Sequence, residues 1–119
     1  MANILVVEDD LMNMELLTAL LEITGHKVEG VDNGEKALNS VDKSHFDLIL
    51  LDMRLPGMNG LEVVKKLRNY PQTLNVPVVA VTASAMKGDR ESILEAGCAD
   101  YVSKPFDTGN FLKVISSYL

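Results

Sequence analysis

The stretch "LILLDMRLPGMNG", residues 48–60, places four aliphatic residues in a row before Asp52 and then turns through a proline and two glycines. A continuous aliphatic run is typical of a strand that is buried on both faces of a parallel sheet. An ionised carboxylate at the end of such a strand costs free energy unless a partner neutralises it. The stretch therefore predicts a central strand with Asp52 at its end, and a charged partner facing that carboxylate.

Length and composition indicate a single acidic globular domain. The 119 residues are 47% hydrophobic and 24% charged, which is the balance of a globular protein with a sizeable core. A net charge of −6, without a cluster of lysines or arginines, argues against a nucleic-acid partner. We therefore expect one domain over residues 1–119 that binds no nucleic acid.

The residues also favour a cytoplasmic location. The single cysteine, Cys98, excludes an internal disulfide and fits a reducing compartment. The start, "MANILVVEDD", lacks the basic region of a signal peptide. No apolar run approaches the roughly 18 residues that a membrane-spanning helix needs. We expect no membrane contact and no attached effector domain.

Five short strand patterns alternate with five helical patterns along the chain. The strands are predicted at residues 3–7, 27–31, 47–51, 76–81 and 100–102, and the helices at 11–24, 34–44, 60–69, 85–96 and 107–118. Such alternation is typical of βαβ units with right-handed crossovers. We predict a flavodoxin-like, three-layer α/β/α fold, with five parallel strands in the order 2-1-3-4-5 and five helices. Ligands bind such sheets beyond the carboxyl ends of the strands, where the order reverses between strands 1 and 3.

Charged or hydroxyl side chains follow four of the five predicted strands. They are Glu8, Asp9 and Asp10 after strand 1, Asp52 after strand 3, Thr82 after strand 4, and Lys104 after strand 5. Neighbouring strands lie roughly 4.8 Å apart, so carboxylates from strands 1 and 3 can share one cation. Strand 5 lies roughly 10 Å from strand 3, a distance that a lysine side chain mostly covers. These side chains are therefore predicted to form one site.

The acidic cluster at this edge indicates a magnesium site. Packed carboxylates repel one another and raise the pKa of at least one of them unless a cation intervenes. Oxygen ligands on a partly open edge suit Mg²⁺, which often bridges to a phosphate. With the metal in place, Asp52 can stay ionised and nucleophilic, and it is then placed to form an aspartyl phosphate. Phosphoryl transfer needs mainly positioning and charge neutralisation, which Mg²⁺ and the ammonium group of Lys104 supply together.

Several residues also have simpler interpretations. Asp10 is better explained as the N-cap of the first helix. Glu8 and Asp9 could instead stabilise the helix through a favourable interaction with the positive, N-terminal end of its dipole. Thr82 could be an ordinary strand residue, and Lys104 a solvated one. Cys98 is predicted to be a small buried apolar residue, and the methionines to fill the core or grooves.

Four segments stand at predicted strand ends, in the order "VVEDD", "LILLDMRLPGMNG", "VVAVTASA" and "DYVSKPF". Together they resemble the receiver domains of two-component response regulators, over essentially the whole chain. The resemblance implies that Glu8 and Asp9 are the acidic pair and that Asp52 is the phosphoacceptor. It also implies that the backbone carbonyl of Arg54 completes the protein ligands of Mg²⁺.

The same resemblance implies a conformational switch. Thr82 matches the hydroxyl that turns toward the phosphoryl group, Lys104 the lysine that pairs with its oxygens, and Tyr101 the aromatic that follows inward. Plain packing is the simpler interpretation of Tyr101. The Lys104–Pro105 peptide bond is expected to be cis. Arg54 and Ser84 match positions that tune reaction rates in the family.

The resemblance implies a phosphorelay protein that catalyses only its own phosphorylation and dephosphorylation, rather than an ordinary enzyme. Its donor would be the phosphohistidine of a sensor histidine kinase or of a histidine phosphotransfer protein. Its downstream protein target would bind a face made of helix 4, strand 5 and helix 5. The stretches "MNM" (12–14) and "AMKGD" (85–89) look most like single-domain cell-cycle regulators of the DivK type, and like receivers of hybrid kinases.

Two other functional classes share part of this pattern. A magnesium-dependent phosphatase with an aspartate nucleophile needs a second aspartate two residues on as general acid and base, where this chain has Arg54. A flavin carrier with this fold needs a loop after strand 1 whose amides hold phosphate, where this chain has three carboxylates. The receiver interpretation is preferred, with the phosphatase as the alternative.

Overall fold

The sheet of this protein contains five parallel strands. In the computed structural model, which describes residues 2–83, 87–105 and 107–119, these are β1 (Asn3–Val7), β2 (Lys27–Val31), β3 (Leu48–Asp52), β4 (Val78–Thr82) and β5 (Asp100–Ser103). Their order is β2-β1-β3-β4-β5, as predicted. Each strand lies within two residues of its predicted span.

Helices cover both faces of the sheet. They are α1 (Leu11–Ile23), α2 (Gly34–Lys43), α3 (Gly60–Leu67), α4 (Lys87–Ala96) and α5 (Thr108–Ser117). α1 and α5 pack on one face, and α2, α3 and α4 on the other, which confirms the three-layer prediction. The chain also forms a short 3₁₀ helix, Pro71–Thr73, that was not predicted. Within the described ranges no helix has the length and apolar character to cross a membrane.

The central strand, β3, is buried on both of its faces. Leu48 and Leu50 pack into the core beneath α1 and α5, whereas Ile49 and Leu51 pack into the core on the opposite face. All four side chains are 0% exposed. Burying each of them stabilises the fold by about 1.5–3 kcal/mol. The uninterrupted aliphatic run is therefore explained by two separate helical layers over one strand.

Two polar side chains lie inside the sheet rather than beyond it. β3 and β4 each extend one residue further than predicted, so that they include Asp52 and Thr82. In register, Asp52 pairs with Val81, and Thr82 pairs with Ser103. The strand ladder therefore holds the backbone at both positions, and a rigid element orients each side chain.

The side chain of Arg68 connects several segments at the amino ends of the strands, the end of the sheet opposite Asp52 and Thr82. Its guanidinium donates hydrogen bonds of 2.8–3.2 Å to the backbone carbonyls of Thr73, Leu74, Val76 and Gly97. Gly97 has a φ of +116°, and a Cβ there would lie 3.0 Å from the Arg68 side chain. Arg68 thus connects the end of α3 to the 3₁₀ helix, to the segment before β4 and to the end of α4.

We expect Arg68→Met to lower the free energy of unfolding by about 2–3 kcal/mol, because four carbonyls lose a charged donor that methionine cannot replace. Arg68→Lys should recover little of this, since an ammonium group lacks the planar fork of a guanidinium. Urea unfolding measures both losses. Lys65→Met, at an exposed position of α3, is the matched control and should change stability by less than about 0.5 kcal/mol. An equally small change in Arg68→Met would contradict the prediction.

Candidate functional site

The centre of the site is the ammonium group of Lys104, which contacts two buried carboxylates. Its Nζ atom lies 3.0 Å from Asp52 Oδ2 and 3.2 Å from Glu8 Oε1. The Asp52 and Glu8 side chains are only 5% and 1% exposed. The three residues come from the carboxyl ends of β3, β1 and β5. The structure therefore brings the predicted lysine and two of the predicted acids into direct contact.

The second oxygen of Asp52 is held by the loop that follows β3. The backbone N–H of Arg54 donates to Asp52 Oδ1 at 2.9 Å, so both carboxylate oxygens of Asp52 have a partner. The loop then meets the start of α3 at Gly60. A Cβ at Gly60 would lie 2.6 Å from the Cα of Met53 and 2.8 Å from the carbonyl oxygen of Asp52. Only glycine lets α3 begin this close to the end of β3.

Three carboxylates at this edge fit a magnesium ion. One oxygen each of Glu8, Asp9 and Asp52 lies within 4.8 Å of the others. Glu8 Oε2 accepts a hydrogen bond of 3.1 Å from the backbone N–H of Asp10. Glu8 Oε1 is buried and, among the described residues, has the charge contact with Lys104 but no directed hydrogen bond. Clustered carboxylate oxygens with an unfilled lone pair are the ligand set of a hard cation.

Burial raises the pKa of Glu8 to about 7. The largest cause is the loss of water around the carboxylate, and the neighbouring Asp52 carboxylate adds to it. The N–H of Asp10 and the ammonium group of Lys104 act in the opposite direction. For Lys104, burial alone would lower the pKa, but the contacts with Asp52 and Glu8 outweigh it and the pKa is raised. The lysine therefore stays charged, while the carboxylates still favour an additional positive charge.

Thr82 lies on β4, the strand beside that of Asp52, and Tyr101 lies on β5; neither belongs to the acidic cluster. Thr82, at the end of β4, is 8% exposed, and its carbonyl accepts the backbone N–H of Lys104 at 2.8 Å. Tyr101 is half-buried and packs against the core on the α4 side of the sheet. The Lys104–Pro105 peptide bond is cis, as expected. Ser84 lies outside the described residues.

The simpler interpretations hold at some positions and fail at one. Asp10 is the N-cap of α1, with its carboxylate accepting from the N–H groups of Met12 and Asn13. Cys98 is buried, and burial raises the pKa of its thiol to about 11. The expectation that Met12 fills a core or groove is wrong, because its side chain is 79% exposed. α1 has more apolar positions than one face of the sheet can cover.

The structure also shows features near the site that were not predicted. A groove of about 390 Å³ opens beside Thr82, between the start of α3 and α4. Its lining residues are Met53, Arg54, Asn59, Leu61, Thr82, Asp89, Ser92 and Ile93. The guanidinium of Arg90, on α4, lies 5.8 Å from the centroid of the Tyr101 ring. Both features depend on where α4 packs, which the sequence pattern does not specify.

Comparisons with known proteins agree with this geometry. The family model described as "Response regulator receiver domain" matches residues 4–116. The polar-differentiation response regulator DivK of Brucella ovis is 43% identical over 117 residues, which cover 98% of this chain and 95% of that protein. The predicted likeness to DivK-type regulators is confirmed.

Two solved structures superpose closely on the chain. One is the receiver domain of a sensor histidine kinase from Pseudomonas aeruginosa, with a magnesium ion coordinated in its active site cleft. It is 35% identical, with a TM-score of 0.91 over 98% of this chain and 96% of that one. The other, the chemotaxis response regulator CheY4 of Vibrio cholerae, is 28% identical, with a TM-score of 0.95 over 100% and 99% of the two chains.

The raised pKa of Glu8 predicts a pH-dependent stability in the absence of divalent cations. The folded chain holds a proton on Glu8 between the ordinary pKa of 4.5 and about 7, where the unfolded chain has lost it. The contribution of Glu8 to the free energy of unfolding is therefore fully present below pH 4.5 and is lost as the pH rises through 7. The loss amounts to at most about 3 kcal/mol.

Urea unfolding in a chelator, at a series of pH values, measures this contribution as the difference between wild type and Glu8→Gln. Carboxylates remote from Glu8 titrate alike in both proteins, so their effects cancel in the difference. Glu15→Gln, at an exposed position of α1, is the control and should follow wild type. A wild type and a Glu8→Gln variant with parallel pH profiles would refute the prediction.

Proposed function

Because this chain belongs to the response regulator receiver domain family, we propose that it accepts a phosphoryl group onto Asp52 from a phosphohistidine. The donor is a sensor histidine kinase or a histidine phosphotransfer protein in the cytoplasm. The observation that supports this most directly is the contact of Lys104 with Asp52, at 3.0 Å, within a cluster of three carboxylates. One buried carboxylate with an ammonium group beside it is a nucleophile with its charge partner already in place.

The residues at the edge of the sheet have distinct parts in this proposal. Glu8, Asp9, Asp52 and the backbone carbonyl of Arg54 would hold Mg²⁺. When bound, the ion supplies positive charge that offsets the phosphoryl oxygens. An oxygen of Asp52 forms the new bond to phosphorus as the bond from phosphorus to the donor imidazole nitrogen breaks. The electron pair stays on that nitrogen. Lys104 pairs with the phosphoryl oxygens.

The output of the proposed reaction is a changed protein surface. Thr82 turns its hydroxyl toward the phosphoryl group, and Tyr101 moves inward behind it. Thr82 lines the groove beside α4, and Tyr101 lies on β5. The proposed face that meets a downstream protein is therefore made of α4, β5 and α5. The output would be a protein contact or onward phosphate transfer. A phosphatase is disfavoured because Arg54 stands where the general acid would be.

Incubation with acetyl phosphate and Mg²⁺ should add one phosphoryl group to the wild-type chain, as measured by intact mass. Asp52→Asn should show no gain, because its amide cannot serve as the nucleophile. A chelator should abolish labelling in the wild type. Asp47→Asn is the matched control, since Asp47 lies at the opposite end of the sheet and its carboxylate accepts the N–H of Asn3. Full labelling of Asp52→Asn would mean that the acceptor lies elsewhere.

Thr82→Ala should still be labelled on Asp52 but should fail to move Tyr101, because the hydroxyl that follows the phosphoryl group is missing. Incorporated fluorotyrosine gives a fluorine NMR signal for Tyr101, assigned with Tyr101→Phe. In the wild type this signal should shift after labelling, whereas in Thr82→Ala it should stay in place. Thr108→Ala, at an exposed threonine of α5, should behave like the wild type. A full shift in Thr82→Ala would show that Thr82 is not the switch.

A further inference from the structure

Arg90, near the start of α4, contacts the aromatic ring of Tyr101 on β5. The guanidinium carbon lies 5.8 Å from the ring centroid. This is within the roughly 6 Å over which a cation is attracted to the face of an aromatic ring. Arg90 is exposed and the tyrosine is half-buried, so the contact lies at the surface. It joins two of the three elements of the proposed output face.

The backbone of Tyr101 is held by different contacts from those of its ring. Its N–H donates to Asp100 Oδ1 at 2.8 Å, and Asp100 Oδ2 accepts the hydroxyl of Tyr118, on the residue after α5, at 3.1 Å. Tyr101 also pairs in register with Ala80 of the neighbouring strand. The backbone is therefore fixed from β4 and α5. A change at this position that preserves these bonds is a rotation of the side chain, which alters both the packing of the ring against the core and its contact with Arg90.

We propose that Arg90 is a positioning residue for the switch, and that its guanidinium holds the Tyr101 ring in the half-exposed position. An inward move of the ring breaks this contact. The significance of that move rests on the proposed function, whereas the contact itself does not. An exposed contact of this type changes the ratio of the two ring positions by roughly two- to five-fold. Arg90 thereby sets the fraction of molecules in which the Tyr101 ring has moved inward.

Fluorine NMR of fluorotyrosine-labelled protein, without phosphodonor or Mg²⁺, tests the inference. The exposed and inward positions of the Tyr101 ring are distinguished by broadening from a soluble paramagnetic agent. Arg90→Met, which keeps an extended side chain but removes the charge, should lower the ratio of exposed to inward ring by roughly two- to five-fold. Lys113→Met makes the same chemical change at an exposed position of α5 and should leave the ratio at the wild-type value.

An unchanged ratio in Arg90→Met would overturn the inference, and so would an equal change in Lys113→Met. A double-mutant cycle separates this contact from others that Arg90 makes. Urea unfolding measures how much Arg90→Met lowers the free energy of unfolding in the wild type and in a Tyr101→Leu background. The loss should be smaller in the Tyr101→Leu background, where the ring is absent. Labelling of Asp52 is measured separately by mass. If the wild type gains no phosphoryl group but Arg90→Met shows the lower ratio, the proposed function alone is refuted. If the wild type is labelled but Arg90→Met leaves the ratio unchanged, the role of Arg90 alone is refuted.

Discussion

One ammonium group shared by two buried carboxylates is the interaction on which the site depends. Lys104 contacts Asp52 and Glu8, whose side chains are almost fully removed from water. A buried charge without such a partner costs several kcal/mol, so neither acid could stay ionised at the end of a core strand alone. The three residues belong to three strand ends that are distant in the chain. The contact therefore forms only when the strands take their final order, which ties the chemistry of the site to the assembly of the whole sheet.

The same cluster leaves an excess of negative charge. One lysine faces Glu8, Asp52 and the nearby Asp9, and a buried oxygen of Glu8 lacks a directed donor among the described residues. A chain selected for stability alone would pair these charges fully or replace them with apolar groups. The deficit lowers stability, and the cation that we propose for this site would supply the charge that the side chains do not. This is the usual conflict between a functional site and the fold that contains it.

The fold and most of the candidate site could be predicted from the sequence because both depend on short-range pattern. Aliphatic runs such as residues 48–51 locate strands, and polar residues at strand ends locate the site once the order of the strands is inferred. Arg68 and Arg90 could not be predicted, because their partners are backbone carbonyls and a ring brought near only by tertiary packing. The exposure of Met12 escaped prediction for a related reason. Helical spacing shows which residues share a stripe, but not how wide a stripe the sheet covers.

The hydrogen bonds from Arg68 to Gly97 have a mechanical consequence for α4. They fasten the C-terminal end of this helix to α3 and to the segment before β4. Its N-terminal end follows the loop after Thr82, at the edge where the acids meet. A tilt of α4 about this C-terminal attachment displaces the residues of its N-terminal end most. α4 spans ten residues, or about 15 Å, so a tilt of a few degrees about Gly97 moves its N-terminal end by about 1 Å and its C-terminal end hardly at all. Arg90 lies near the N-terminal end, where the displacement produced by such a tilt is largest.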